Sequence, residues 1–86
     1  MIKIRIIFFA SFKEVLECSE TSLELESGSS IKDLCDLLAD KGSAWAALFT
    51  KPTNMVKIAC NQQMTDLNRL LSDGDEVAFF PPVTGG

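Results

Sequence analysis

The alternation of apolar and polar residues predicts a β-strand over residues 2–9, IKIRIIFF. Isoleucines alternate with Lys3 and Arg5, which is the period of a strand that buries one of its two faces. The alternation fails near the end of the segment, where Ile7 and Phe9 fall on the face that carries Lys3 and Arg5. This end of the strand is therefore expected to have apolar residues on both faces.

The same two-residue period predicts the remaining strands, which cover residues 21–26, 55–60, 63–65 and 76–80. In the last strand, Val77 and Phe79 lie on one face, while Ala78 and Phe80 lie on the other. The second strand is expected to pair antiparallel with the first. The first and last strands are the most apolar, so we expect them side by side in the middle of the sheet. If they are parallel, Phe9 and Phe80 lie at the same end.

An apolar stripe at helical spacing predicts the main helix. Its members are Ile31, Leu34, Cys35 and Leu38. Ser30 is expected to cap this helix at its start together with Asp33, whose negative charge suits the positive end of the helix dipole. Gly42 is expected to end the helix in the left-handed conformation that glycine adopts without strain.

Shorter elements are predicted on either side of the main helix. A capping box at Ser11 indicates a short helix over residues 11–17, and Ser43 begins another that extends through Phe49. A tight turn is expected around Gly74, at a position that requires a positive φ. Three leucines are expected to anchor the loop before that turn: Leu67, Leu70 and Leu71. The order ββαββ, with extra short helices, indicates an α+β roll in which one helix lies across a mixed sheet.

Composition limits the classes of function. A net charge of −4 argues against nucleic-acid binding and suits a partner with a basic surface. The three cysteines, Cys18, Cys35 and Cys60, are accompanied by no histidine, so neither a disulfide framework nor a metal site is expected. Cys35 and Cys60 are expected in the core. The sequence has no apolar run of membrane-spanning length and no signal-peptide pattern, so we expect a cytoplasmic protein that binds no membrane.

The segment after the last strand is the candidate for chemistry. Pro81 and Pro82 cannot continue the strand, because neither has an N–H for the ladder, and they favour an extended conformation. Gly85 and Gly86 have no Cβ, so their backbone could enter a channel too narrow for side chains. A frayed terminus is the alternative reading.

We therefore divide the chain into a domain, residues 1–80, and a flexible extended tail, residues 81–86. The carboxylate of Gly86 is expected to be the working group. An ionised carboxylate is a poor electrophile, and no group in this chain could activate it, so the chemistry on it is expected to be done by another enzyme.

Two motifs resemble those of a known family. The run DGDEV at residues 73–77, followed by FFPPVTGG at residues 79–86, resembles the small, sulfur-carrying subunits of molybdopterin synthase within the ubiquitin-like β-grasp sulfur carriers. Residues 6–10, IIFFA, and the Asn61-Gln62 turn fit the same family. The element order agrees over the whole chain, while residues 17–53 are generic.

This resemblance implies a β-grasp fold and a reaction cycle. An adenylyltransferase similar to ubiquitin-activating enzymes would use ATP to form an acyl-adenylate on Gly86. A persulfide sulfur donor would convert the adenylate into a thiocarboxylate. The large subunit of a heterotetrameric synthase, which supplies the catalytic side chains, would use that sulfur to make the dithiolene of molybdopterin from a cyclic pyranopterin precursor. No cofactor is expected on this chain.

The candidate site residues follow from this cycle. The residues expected to thread into the large subunit are Pro81, Pro82, Val83, Thr84 and Gly85. The residues expected to dock the large subunit are Ile7, Phe9, Ala78 and Phe80, because exposed apolar patches mark interfaces. Burial of Ile7, Phe9 and Phe80 by the chain's own loops is the alternative. Two other functions stay open: a sulfur carrier for thiamine thiazole or tRNA thiolation, and a ubiquitin-like modifier conjugated through Gly86.

Overall fold

The computed structural model describes residues 1–49 and 57–80. These residues form five strands and three helices. In chain order they are β1 (Ile2–Phe8), α1 (Ala10–Leu16), β2 (Glu20–Leu25), α2 (Ile31–Ala39), α3 (Ser43–Phe49), β3 (Lys57–Cys60), β4 (Gln63–Thr65) and β5 (Glu76–Phe80). The predicted α+β class is confirmed.

The five strands form one mixed sheet in the order β2-β1-β5-β3-β4. β1 pairs antiparallel with β2 and parallel with β5, while β3 pairs antiparallel with both β5 and β4. Phe8 lies opposite Phe79 in the parallel pair. The predicted placement of the first and last strands side by side is therefore confirmed. The pair is parallel, so both strands end at the same edge of the sheet.

The core lies between one face of the sheet and the three helices. From the sheet, Ile4, Ile6, Val77 and Phe79 are fully buried, as the alternation predicts. The predicted stripe of α2 packs against them, with Ile31, Leu34 and Leu38 also fully buried. The ring of Phe49 in α3 packs edge-on against Phe79, with 5.1 Å between ring centroids. Within residues 1–49 and 57–80, the helices therefore cover one face of the sheet and leave the other face open.

The predicted start of α2 is confirmed. The backbone N–H of Asp33 donates to Ser30 Oγ at 3.3 Å, and the Ser30 N–H donates to Asp33 Oδ2 at 2.9 Å, which completes a capping box. Its predicted end at Gly42 is wrong. The last residue of the helix is followed by Asp40 in the right-handed conformation, with φ of −79°. The Gly42 carbonyl instead accepts from the Ala46 N–H at 2.9 Å, so Gly42 belongs to the start of α3.

The predicted capping box at Ser11 is also wrong, because α1 begins at Ala10 with no side-chain cap. Ala10 has a φ of 52°, in the left-handed region, so the chain turns away from β1 immediately after Phe9. The Phe12 N–H then donates to the Phe9 carbonyl at 3.1 Å. Ser11 lies within the first turn, where it cannot serve as the cap.

The turn before β5 and the turn between β3 and β4 form as predicted. Gly74 has a φ of 87°, and the Asn61-Gln62 turn has φ values of 52° and 69°. In the loop before Gly74, Leu71 is buried and Leu67 is partly buried, as predicted. Leu70 is 64% exposed, so its predicted anchoring role is wrong. Leu70 forms a bridge with Ser30, and neighbouring side chains of such an extended segment point to opposite sides.

Residues 55–56, which belong to the predicted third strand, lie outside the described residues. Within them, β3 begins at Lys57, and Ile58 and Cys60 are buried on the core side.

Candidate functional site: an apolar face beside the C-terminal strand

The face of the sheet that the helices leave open carries an apolar surface near the ends of β1 and β5. We call Ile7, Phe9, Ala78 and Phe80 the outer patch. Ile7 lies opposite Ala78 in the parallel pair, and strand alternation places both on the face opposite the buried Phe8 and Phe79. Phe9 is 41% exposed, and the other three are half-buried. The structure thus brings together all four residues predicted for the interface.

Phe9 and Phe80 form the end of the outer patch nearest the tail. Their rings are stacked, with 4.7 Å between centroids and 5° between planes. The Phe9 N–H donates to the Phe79 carbonyl at 3.3 Å, which continues the ladder one residue beyond β1. Both backbone polar groups of Phe9 are therefore hydrogen-bonded: its N–H donates to Phe79, and its carbonyl accepts from the Phe12 N–H. The pair forms a pre-arranged aromatic surface at the last described residue of the chain.

Two further apolar residues lie on the same face of the sheet, the buried Ala59 and the exposed Met64, and sequence reasoning missed both. Ala59 lies opposite Ala78, and Met64 lies opposite Ala59, so a row crosses the sheet from Ile7 to Met64. Met64 is 64% exposed. Met64 could have been predicted from the sequence, because it lies between two polar residues, Gln63 and Thr65, in a short strand. That pattern indicates an apolar side chain on the open face.

Charged residues border the outer patch on its β2 side and at the start of β5. We call Arg5, Glu20 and Glu76 the charged rim. Glu20 lies opposite Ile7 and forms a close ion pair with Arg5 Nε, and Arg5 Nη1 lies 3.2 Å from Glu76 Oε2. The hydrogen bond from Arg5 lowers the pKa of Glu20, and the same bond raises the pKa of Arg5. Both shifts favour the charged forms of Glu20 and Arg5.

A hydrogen-bonded cluster fixes the start of β5. Asn61 Nδ2 donates to Asp75 Oδ1 at 2.9 Å, and the Ser72 N–H donates to Asp75 Oδ2 at 2.8 Å. Asn61 Oδ1 in turn accepts from the Glu76 N–H at 3.0 Å. Partial burial raises the pKa of Asp75, but the bonds from Asn61 and Ser72 outweigh burial, so its pKa is lowered overall. The turn after β3 thereby holds the strand that leads to the tail.

Cys35 and Cys60 lie in the core, as predicted. Cys35 and Cys60 are buried, and burial raises the pKa of Cys35 to about 12 and that of Cys60 above its ordinary value. Both are therefore protonated thiols at neutral pH, which are poor nucleophiles. Cys18 is partly buried, and its Sγ donates to the Glu20 carbonyl at 3.3 Å.

The predicted working group and the threading residues, residues 81–86, lie outside the described residues. Among residues 1–49 and 57–80, no group of three or more acidic, cysteine or histidine side chains is arranged to hold a metal ion. No helix in these two ranges is long and apolar enough to span a membrane.

The fold is of the ubiquitin-like β-grasp class, which confirms the predicted architecture. The crystal structure of SAMP1 from Haloferax volcanii matches this chain with a TM-score of 0.85. The match covers 98% of this chain and 99% of that chain, at 23% sequence identity, so it is a likeness of fold.

A family model described as the ThiS family matches residues 6–86. The molybdopterin synthase sulfur carrier subunit of Haemophilus influenzae is 35% identical over 83 residues, which is 96% of this chain and 99% of that protein. The chain therefore belongs to the ThiS family. It is also similar to a chain in the complex of subunits 1 and 2 of the molybdopterin-converting factor from Helicobacter pylori. That match has a TM-score of 0.67 and 26% identity, and it covers 99% of this chain and 100% of that one.

Proposed function

We propose that this chain is the sulfur carrier subunit of a molybdopterin synthase. In this proposal a separate ATP-dependent enzyme adenylates the Gly86 carboxylate. A donor persulfide then displaces AMP to form an acyl disulfide, and a thiol reductant cleaves the S–S bond, which yields the thiocarboxylate and a disulfide. The thiocarboxylate then donates sulfur to the cyclic pyranopterin precursor in the large subunit. The full-length likeness to sulfur carrier subunits supports this function.

The single observation that carries the proposal is the position of the outer patch. It lies on the open face of the sheet, and its Phe9–Phe80 stack is at the residue where β5 ends. A partner that covers this patch also meets the beginning of residues 81–86. Docking and delivery of the tail are therefore one event, and the large subunit is the partner that the Helicobacter pylori complex suggests.

The chemistry proposed for the tail follows from its residues. Adenylation gives the carboxyl carbon a good leaving group, AMP, which the donor persulfide displaces. Reduction of the resulting acyl disulfide by a thiol then releases the sulfur as a thiocarboxylate. The resulting thiocarboxylate is a soft anionic nucleophile, as thiolates are. Holding it beside its acceptor in a closed pocket replaces a bimolecular encounter with an oriented reaction. Gly85 and Gly86 present no side chain to the pocket walls.

Deleting Gly86 tests the carrier role. We expect the deletion variant to fold with an unchanged melting temperature and to bind the large subunit, because the outer patch is intact. Molybdopterin formation in a reconstituted synthase should be abolished, since the reactive carboxyl carbon is displaced. A matched variant with one glycine added after Gly86 should be equally inactive. Molybdopterin output equal to wild type from either variant would overturn the proposal.

A further inference from the structure

The charged rim has a position that folding stability does not explain. The side chains of Arg5, Glu20 and Glu76 are 54%, 47% and 31% exposed. Ion pairs at such exposure contribute little to stability, because water and salt screen them. The rim nevertheless lies directly against the outer patch, since Glu20 is the cross-strand neighbour of Ile7.

The geometry of the rim leaves capacity for another cation. Arg5 contacts the Oε2 atoms of both glutamates, so Oε1 of each carboxylate can accept further hydrogen bonds. One guanidinium and two carboxylates sum to a net charge of −1. Glu20 comes from β2 and Glu76 from β5, on either side of Arg5, and the ion pairs hold both carboxylates in place before any partner arrives.

The open face carries a positive charge at the end farther from the charged rim. Lys57 is exposed and lies opposite Phe80, at the edge where β5 ends. Glu76 and Phe80 are four residues apart on the same strand, which is roughly 13 Å at about 3.3 Å per residue. The outer patch thus lies between a negative end and a positive end. A partner that docks in a reversed orientation would bring like charges together.

We propose that the charged rim binds a cationic side chain, lysine or arginine, of the large subunit and thereby sets the orientation in which that subunit covers the outer patch. This inference rests on the proposed docking of the large subunit. Pre-formed ion pairs reduce the ordering cost of binding, because the two carboxylates are already positioned. The rim therefore contributes to the rate and orientation of association, while the aromatic stack contributes most of the affinity.

The test compares matched glutamate-to-glutamine variants in binding to the purified large subunit. Glu20→Gln and Glu76→Gln change the rim, and Glu24→Gln is the control. Glu24 lies on the same strand and the same face as Glu20, opposite Lys3. The Glu24→Gln substitution removes one negative charge, as each rim substitution does. Association rate and affinity are measured at about 50 mM and about 500 mM salt, since screening weakens exposed charge interactions. Melting temperatures confirm that all variants fold.

We expect each rim variant to weaken binding about three- to tenfold at low salt, with the difference from wild type shrinking at high salt. Glu24→Gln should stay within about twofold of wild type. Equal effects of Glu20→Gln and Glu24→Gln would show that only total charge matters and would overturn the inference. Phe80→Asp separates the two claims: if it abolishes binding while the rim variants bind like wild type, the docking proposal stands and the rim inference fails.

Discussion

Phe80 is the residue on which the docking argument depends. Its ring is stacked on Phe9 on the open face, whereas its neighbour Phe79 is fully buried in the core. Adjacent residues of one strand thus serve different purposes, one stabilising the domain and the other presenting an aromatic surface. An aromatic side chain at the centre of an interface contributes about 2 kcal/mol or more when it is a hot spot.

Phe80→Asp is therefore expected to weaken binding to the large subunit at least about tenfold. It should lower the melting temperature much less than Ile4→Asp, which places an unpaired charge in a fully buried position and should unfold the domain. Binding is measured by calorimetry and stability by thermal unfolding. If Phe80→Asp destabilises the domain as much as Ile4→Asp does, Phe80 acts as a core residue and the assignment of the open face is wrong.

At the scale of elements, the turn between β3 and β4 supports the start of β5 through Asn61 and Asp75. Both Asp75 oxygens accept hydrogen bonds, one from Asn61 Nδ2 and one from the Ser72 N–H. An asparagine at position 75 has only one acceptor oxygen, so one of the two donors would face an amide N–H₂. The position of β5, and with it the outer patch, depends on this cluster.

Asp75→Asn is expected to lower the free energy of unfolding by about 1–3 kcal/mol at neutral pH, as for the loss of a charged acceptor. Because the folded pKa of Asp75 lies below the ordinary value of about 3.9, its stabilisation is complete above that value and is lost as the pH falls through the folded pKa. Denaturant unfolding from neutral to acid pH should show the difference between the two proteins shrinking in that range. Asp36→Asn, on the exposed face of α2, is the control and should change stability by less than about 0.5 kcal/mol. A pH-independent difference would contradict this role of Asp75.

At the scale of the whole molecule, the apolar character of the first and last strands was enough to predict that they lie side by side, and strand alternation was enough to predict the two faces of β5. It could do so because Ile7, Phe9 and Phe80 break the simple pattern of one apolar face and one polar face. The start of α1 was mispredicted because it depends on the left-handed Ala10, and nothing in an alanine signals a positive φ. Met64 and Ala59 were missed because their place in the row depends on cross-strand register, which the sequence of a three-residue strand does not determine.

The charged rim was not predicted from the sequence, for a similar reason. Arg5, Glu20 and Glu76 are far apart in the sequence and lie on three strands, and only the register of β1 with its two neighbours brings them together. By contrast, the predicted chemistry depends on the tail motif alone, which a sequence shows directly. The fold determines which surface lies beside the residue at which that motif begins.

The intact mass of the protein isolated from cells shows whether Gly86 carries sulfur. We expect a species heavier than the unmodified chain by the mass difference between one sulfur and one oxygen atom, located at Gly86 by fragmentation. This species should disappear when the adenylating enzyme is absent. A chain found only as the free carboxylate, or as larger conjugates joined through Gly86 to lysines of other proteins, would contradict the carrier function, and the second result would indicate a protein modifier.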